Sequence, residues 1–273
     1  MGAMADHVLL DFGDGARLER FGERLVDRPH PEALGARGDP AAWRAAHLRY
    51  DRDRGWTGPA AATSPWTVRA GDLHFELRPT EAGQVGLFPE HAQMLPWLVE
   101  QRPGAVLNLF AYTGLATLAL AAGGSAVTHV DASRPSVAWA RRNADLSGLG
   151  DRPVRWIVDD ARSFVAREVR RGRRYDGIVL DRPSYGHGLG GRSWRLADDL
   201  GDLLRTCRMI LAPDGFALLS AHTAGFESGA LAEALSTALG RPDAHVETGK
   251  LALATPDGRR LELGAFARVS GGA

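Results

Sequence analysis

The 273-residue chain carries 33 basic and 33 acidic side chains and is 44% hydrophobic, enough apolar material for one large domain or for a domain with an appendage. Its formal net charge of zero excludes a bulk attraction to polyanions. The single cysteine, Cys207, excludes an internal disulfide and any zinc site built from several thiolates; no metal-ligand set is expected, and the composition fits a reducing, cytosolic compartment.

The start, MGAMADHVLL, lacks a basic segment followed by a long apolar run, and no window of about 18 residues is apolar enough to span a membrane. Residues 1–100 are rich in arginine and turn formers and read as a small β-rich extension, with a boundary near Pro103 and Gly104. Two hairpins are expected there: HVLLDFGDGARLERFG turns at DG, and WTVRAGDLHFELRP turns at AGD. Between them, residues 29–65 read as an irregular cover around one helical candidate, residues 40–51.

From residue 101 the texture changes to apolar runs alternating with helical stretches. The expected order is strand (105–109), helix (114–122), strand (126–131), helix (135–147), strand (154–158), helix (161–170) and strand (177–181). A helix (196–211), a strand (216–220), a helix (227–239) and two closing strands (245–252 and 260–266) follow. Strands separated by single helices imply right-handed crossovers and a mostly parallel, doubly wound α/β sheet.

In such a sheet ligands bind beyond the carboxyl ends of the strands. The first strand runs into FAYTG, where Thr113 and Gly114 open a helix whose amides can face an anion. The spacing is not GxGxxG and no P-loop lysine follows, which counts against a dinucleotide or a nucleoside triphosphate. Asp131 ends the second strand about 20 residues beyond the glycine turn, where a carboxylate can accept both ribose hydroxyls. Asp160 ends the third strand, and the fourth ends at LDRPSYGHG (180–188). Either Asp131 or Asp160 can alternatively cap the helix that follows it.

Together, VLNLFAYTG (106–114), THVDAS (128–133), WARRNADLSGL (139–149), DDARSF (159–164), YDGIVLDRPSYGHG (175–188) and, upstream, GLFPEHAQ (86–93) resemble the class I S-adenosylmethionine (SAM)-dependent methyltransferases. Within them the chain is similar to the bacterial 23S rRNA cytosine-C5 enzymes. The resemblance implies a Rossmann-like fold with a seven-stranded, mostly parallel sheet and SAM as cofactor. It implies a donor site made by Asn108, Phe110, Ala111, Tyr112, Thr113, Gly114, Asp131, Ala132, Ser133, Asp160, Ala161, Asp181 and Pro183, with Phe110–Gly114 approaching the methionine part, Asp131 the ribose, Asp160 the adenine, and Asp181 facing the sulfonium.

Three departures bear on the acceptor. Arg182 stands where the family pattern Asp-Pro-Pro has its first proline, FPEHA (88–92) replaces Phe-Leu-Asp-Gln-Arg, and no PUA-type RNA-binding domain is evident in the first sixty residues. Cys207, flanked by leucines and isoleucine at helical spacing, reads as a core thiol rather than the nucleophile that C5 methylation needs. A heteroatom acceptor is therefore expected. Arg182 can fork onto a carboxylate of donor or acceptor, Tyr185 can stack the acceptor, and His187 has a suitable ordinary pKa for a proton acceptor. Ser184 and Trp194 extend the acceptor wall within a glycine-rich lid (186–194), and Glu90 and His91 close from the other side.

The leading expectation is methyl transfer to a small, anionic molecule in preference to RNA, with 23S rRNA as an alternative. Transfer of the aminocarboxypropyl group, signalled by the Arg182 replacement, is also open, as is a non-catalytic SAM- or RNA-binding module.

Overall fold

Asp14 and Gly15 both hold left-handed φ angles, 51° and 72°, as a two-residue turn between right-twisted strands demands. They join β1 (His7–Gly13) to β2 (Ala16–Phe21). The computed structural model describes residues 4–182, 196–222, 228–240 and 245–271, with no side-chain placement for 182 and 196–199. The chain divides into one unit of Met1–Gln93 with Ala252–Leu263 and a second of Met94–Leu251 with Gly264–Ala273.

In the first unit, β3 (Arg24–Pro29) pairs antiparallel with β2. The stretch expected to be irregular is more ordered than its composition implies. The helix over 40–51 shortens to α1 (Pro40–Arg44), capped by the Asp39 carboxylate, because β4 (Leu48–Asp51) leaves it to pair with β3 on one side and β5 (Gly55–Thr57) on the other. Tertiary pairing outweighs a local helical pattern of this length. After a single turn, α2 (Ala60–Thr63), the second expected hairpin forms as β6 (Trp66–Ala70) and β7 (Leu73–Leu77). Arg259, from the C-terminal segment of this unit, donates to Phe12 O at 3.1 Å and pairs with Asp11. Leu261 and Leu263 pack there with Leu9 and Ala33.

Both faces of β2 are buried, so its polar side chains must be satisfied internally. The fully buried Glu19 accepts from Arg28 Nε at 2.6 Å, has Arg17 Nε at 3.3 Å, and contacts His7 Nε2 at 3.0 Å. Burial pushes the Glu19 carboxyl up, but the Arg17 and Arg28 guanidiniums and the His7 contact outweigh it and hold the group well below the usual range. Arg28 also donates to Gln84 Oε1 at 2.6 Å.

The second unit begins with α3 (Leu95–Glu100) and continues as β8 (Ala105–Leu109), α4 (Leu115–Ala122), β9 (Ala126–Asp131), α5 (Arg134–Leu146), β10 (Val154–Val158), α6 (Ala161–Arg170) and β11 (Tyr175–Arg182). It ends with α7 (Leu196–Arg208), β12 (Leu211–Ala221), α8 (Ser228–Leu239), β13 (Glu247–Ala254) and β14 (Arg260–Val269), the last two reaching into the first unit's segment. The seven-stranded order is β10-β9-β8-β11-β12-β14-β13. The first five of these pair parallel, and β14 runs antiparallel to β12. Chain order therefore reverses between β8 and β11, the kind of position where doubly wound sheets open a ligand crevice. Leu107, Leu180, Leu203, Leu204 and Leu219 form part of the core on one face, and Cys207 lies among them, 2% exposed. Burial pushes its thiol up to about 12. Among the described residues, no helix is long and apolar enough to cross a membrane.

Candidate functional site

Three strand ends and the turn after β8 carry the site. Phe110 and Tyr112 hold left-handed φ angles of 56° and 46°. That region strains a bulky residue by roughly 1–3 kcal/mol and persists only where neighbours overdetermine it. Here they do. Ala111 N donates to Val130 O at 3.1 Å and Gly114 N to Ala111 O at 3.0 Å. Tyr112 N donates to Asp131 Oδ2 at 2.9 Å, and Asn143 Nδ2, from α5, donates to Thr113 O at 3.0 Å. The Tyr112 ring lies 6.2 Å from that of Trp139. Gly114, with φ of 94°, precedes α4, and a Cβ there would come 3.2 Å from Ala140 Cβ. Glycine is thus favoured by the left-handed conformation, and the closeness of α5 makes any Cβ a tight contact.

Asp131 is the hub of this turn. Its Oδ1 accepts from Ser133 N at 2.8 Å while Oδ2 accepts from Tyr112 N. Burial raises its pKa, partly opposed by these two amides. An ionised carboxylate has about four lone-pair positions, so each oxygen can accept one further hydroxyl while holding its amide. That geometry fits a vicinal diol. The capping alternative does not hold for Asp131, since Ser133 caps α5, its Oγ accepting from Ser136 N at 3.2 Å. It does hold for Asp160, whose Oδ1 accepts from Ser163 N at 3.0 Å and opens α6. Asp160 is nevertheless kept beside Asp131, because Asp159 N donates to Asp131 O at 3.1 Å. Ala161 is buried in the core, Ala111 is buried and Ala132 half-buried.

Asn108 faces inward. Its Nδ2 donates to Thr117 Oγ1 at 2.9 Å, and that hydroxyl lies 2.9 Å from His129 Nδ1, a buried polar chain tying β8 and β9 to α4. At the end of β11, Asp181 Oδ1 accepts from Ser220 Oγ at 2.7 Å and has His222 Nε2 at 3.6 Å. Arg182 pairs in register with Ala221. Pro183, Ser184, Tyr185, His187, Trp194 and the glycine-rich lid lie outside the described residues. Glu90 and His91 lie in a 3-10 turn (Pro89–Met94) of the first unit, 2% and 9% exposed.

The structure therefore joins FAYTG, Asp131, Ser133 and Asp160 into one connected arrangement and fixes Asp181 on the neighbouring strand. Asn143, Ser220 and His222 are site neighbours that sequence reasoning did not single out. The first sits inside the stretch WARRNADLSGL, four residues after Trp139 and hence on the same helix face. The other two are legible only once β12 is registered against β11.

The sequence profile of the family described as S-adenosylmethionine-dependent methyltransferase matches residues 39–246. A SAM-dependent methyltransferase from Agrobacterium tumefaciens, solved by crystallography, is 36% identical and superposes with a TM-score of 0.92, covering 99% of this chain and 92% of that one. SMU.776, solved complexed with SAH, is 18% identical over 98% of this chain and 76% of its own, with a TM-score of 0.79, and shares the fold. The ribosomal RNA large subunit methyltransferase K/L of Methylococcus capsulatus is 35% identical over 164 residues, 58% of this chain and 22% of that protein. The ribosomal RNA large subunit methyltransferase K of Neisseria meningitidis is 32% identical over 149 residues, 52% of this chain and 41% of its own. The chain thus spans less than half the length of these two curated relatives.

Proposed function

Since the chain belongs to the S-adenosylmethionine-dependent methyltransferase family, we propose that its acceptor is RNA, and specifically ribosomal RNA of the large subunit. The protein is a SAM-dependent methyltransferase with a Rossmann-like catalytic fold. The observation that carries the RNA reading is the naming of relatives from Methylococcus capsulatus, Magnetococcus marinus and Neisseria meningitidis as ribosomal RNA large subunit methyltransferases. The preference for a small-molecule acceptor is corrected by the same finding. It rested on the absent PUA-type domain, the missing nucleophile and zero net charge, and the last sums over the whole chain, whereas phosphates respond to the local field. Arg170, Arg171, Arg173 and Arg174 are exposed within five residues, so a neutral total coexists with a basic surface. Ribosomal RNA thereby becomes the main reading. The family description names methyl transfer, which leaves aminocarboxypropyl transfer and a non-catalytic module without support.

The residues fit SAM. Asp131 retains acceptor capacity for two ribose hydroxyls, and the glycine turn lets backbone approach the donor. Bound there, SAM supplies a methyl carbon activated by a sulfonium leaving group. In this reading the chain's own residues align rather than activate: the Phe110–Gly114 turn and Asp131 orient the donor, and Asp181 accepts a hydrogen bond at the reacting edge.

The narrower likeness to cytosine-C5 enzymes gains no support. A thiol in the core with its pKa pushed up to about 12 is a poor nucleophile at neutral pH. Cys207→Ala is accordingly expected to retain methyl transfer, measured with labelled SAM; its loss, with the fold intact by circular dichroism, would bring the thiol into the reaction.

The acceptor is tested by incubating the purified protein with methyl-labelled SAM and either protein-free 23S rRNA, assembled large subunits or total metabolite extract. Label in a ribosomal nucleoside, with SAH formed in equal amount, is expected. Label only in the small-molecule fraction would overturn the reading.

A further inference from the structure

We infer that Ser220 is a positioning residue for the transfer reaction, holding the Asp181 carboxylate in one rotamer at the strand end. The inference rests on the proposed role of Asp181 at the reacting edge.

Three observations carry it. Ser220 is fully buried and stands in a run, Phe216–Ala221, whose every residue is buried and whose other members are Phe, Ala and Leu. A hydroxyl in such a run is unfavourable unless it is hydrogen-bonded, and packing alone would be served as well by alanine. Its bond is to Asp181, at 2.7 Å. Second, β11 and β12 pair parallel with Asp181 directly opposite Ser220, so the bond is set by sheet register rather than by a loop. Third, the held atom is Oδ1, the same oxygen that His222 Nε2 approaches at 3.6 Å. With Oδ1 fixed, the position of Oδ2 follows from the planarity of the carboxyl group.

A hydroxyl donor stabilises the charged form of a carboxylate. It also removes the rotational freedom that would spread Oδ2 over several positions, and a misplacement of about 1 Å at a reacting centre can lower a rate by about 100-fold. Ser220 thereby contributes to where the second oxygen is presented without touching the acceptor itself.

The test uses the full chain carrying Ser220→Ala, Ser220→Cys, Ser220→Thr or Asp181→Asn, and the double variant Ser220→Ala with Asp181→Asn, assayed on 23S rRNA. Alanine and cysteine, both close in size to serine but poor in donor capacity, are expected to lower kcat by about 10- to 100-fold with KM for RNA and Kd for SAM little changed. Threonine, which keeps the hydroxyl, recovers most of the loss. The double variant is no slower than Asp181→Asn alone. Crystals of the Ser220→Ala protein with SAM are expected to show Asp181 turned from its wild-type rotamer. If Asp181→Asn is slow while Ser220→Ala and Ser220→Cys are as fast as wild type, or if Asp181 has not moved, the positioning role is overturned. If Asp181→Asn itself is fully active, what fails is the underlying reading of Asp181.

Discussion

Glu19→Gln is expected to destabilise the protein by about 3–5 kcal/mol, the range for removing one partner from a buried ion cluster. Arg17 and Arg28 are both almost fully buried against Glu19, and the neutral amide leaves them without the charge that offsets their desolvation. Urea denaturation of wild type and variant measures the difference, and a loss below about 1 kcal/mol would show that the cluster is solvated or otherwise compensated. Replacing Glu19, Arg17 and Arg28 together by apolar residues of similar volume should recover much of the loss. The pH dependence has a definite sign. The Glu19 carboxyl is held well below its ordinary range, so its contribution is complete above the unfolded pKa and is lost as pH falls through the depressed folded value. The gap between wild type and Glu19→Gln therefore narrows in strong acid.

Asp131→Ala is expected to weaken SAM binding by about 100-fold or more, since two hydrogen bonds to a charged acceptor are worth about 1.5–3 kcal/mol each. The same change removes the acceptor for Tyr112 N and Ser133 N, which loosens the strained turn as well as the ribose contact. Calorimetry with SAM and with SAH measures it, and retention of wild-type affinity would remove Asp131 from the donor site. Burial raises the Asp131 pKa, and only the ionised form can accept from both hydroxyls. Affinity in wild type should therefore fall as pH drops through a value above the ordinary aspartate range, and Asp131→Asn, already weak, should lack that step.

Residue spacing made much of the second unit legible. Three of the parallel strands, β9, β10 and β11, are short and mainly apolar and run into an aspartate, a pattern legible in sequence because a strand covered on both faces must be largely apolar. The positions of Asp131 and Asp181 followed, since both end such runs. Residues 29–65 were less legible. The strands β4 and β5 are only four and three residues long, too short for an alternating pattern to register, and they are strands only because β3 offers an edge. The role of Asp160 was open for a related reason, since an aspartate before a helix caps it whether or not a ligand lies nearby, and its Oδ1 does so here.

The doubly wound order, the glycine turn after β8 and the acidic strand ends were written in local residue patterns, because these depend on periodicity and on the conformational needs of single residues. Which side chains hold the site in place became visible only in the folded chain. Asn143 meets Thr113 across 30 positions, and Ser220 meets Asp181 across 39. Such contacts depend on sheet order and register, which arise from long-range burial and leave no local periodic trace. The same reason explains why charge summed along the chain, one of three grounds for a small acceptor, was a poor guide: a binding surface is set by which residues folding brings together, not by their total.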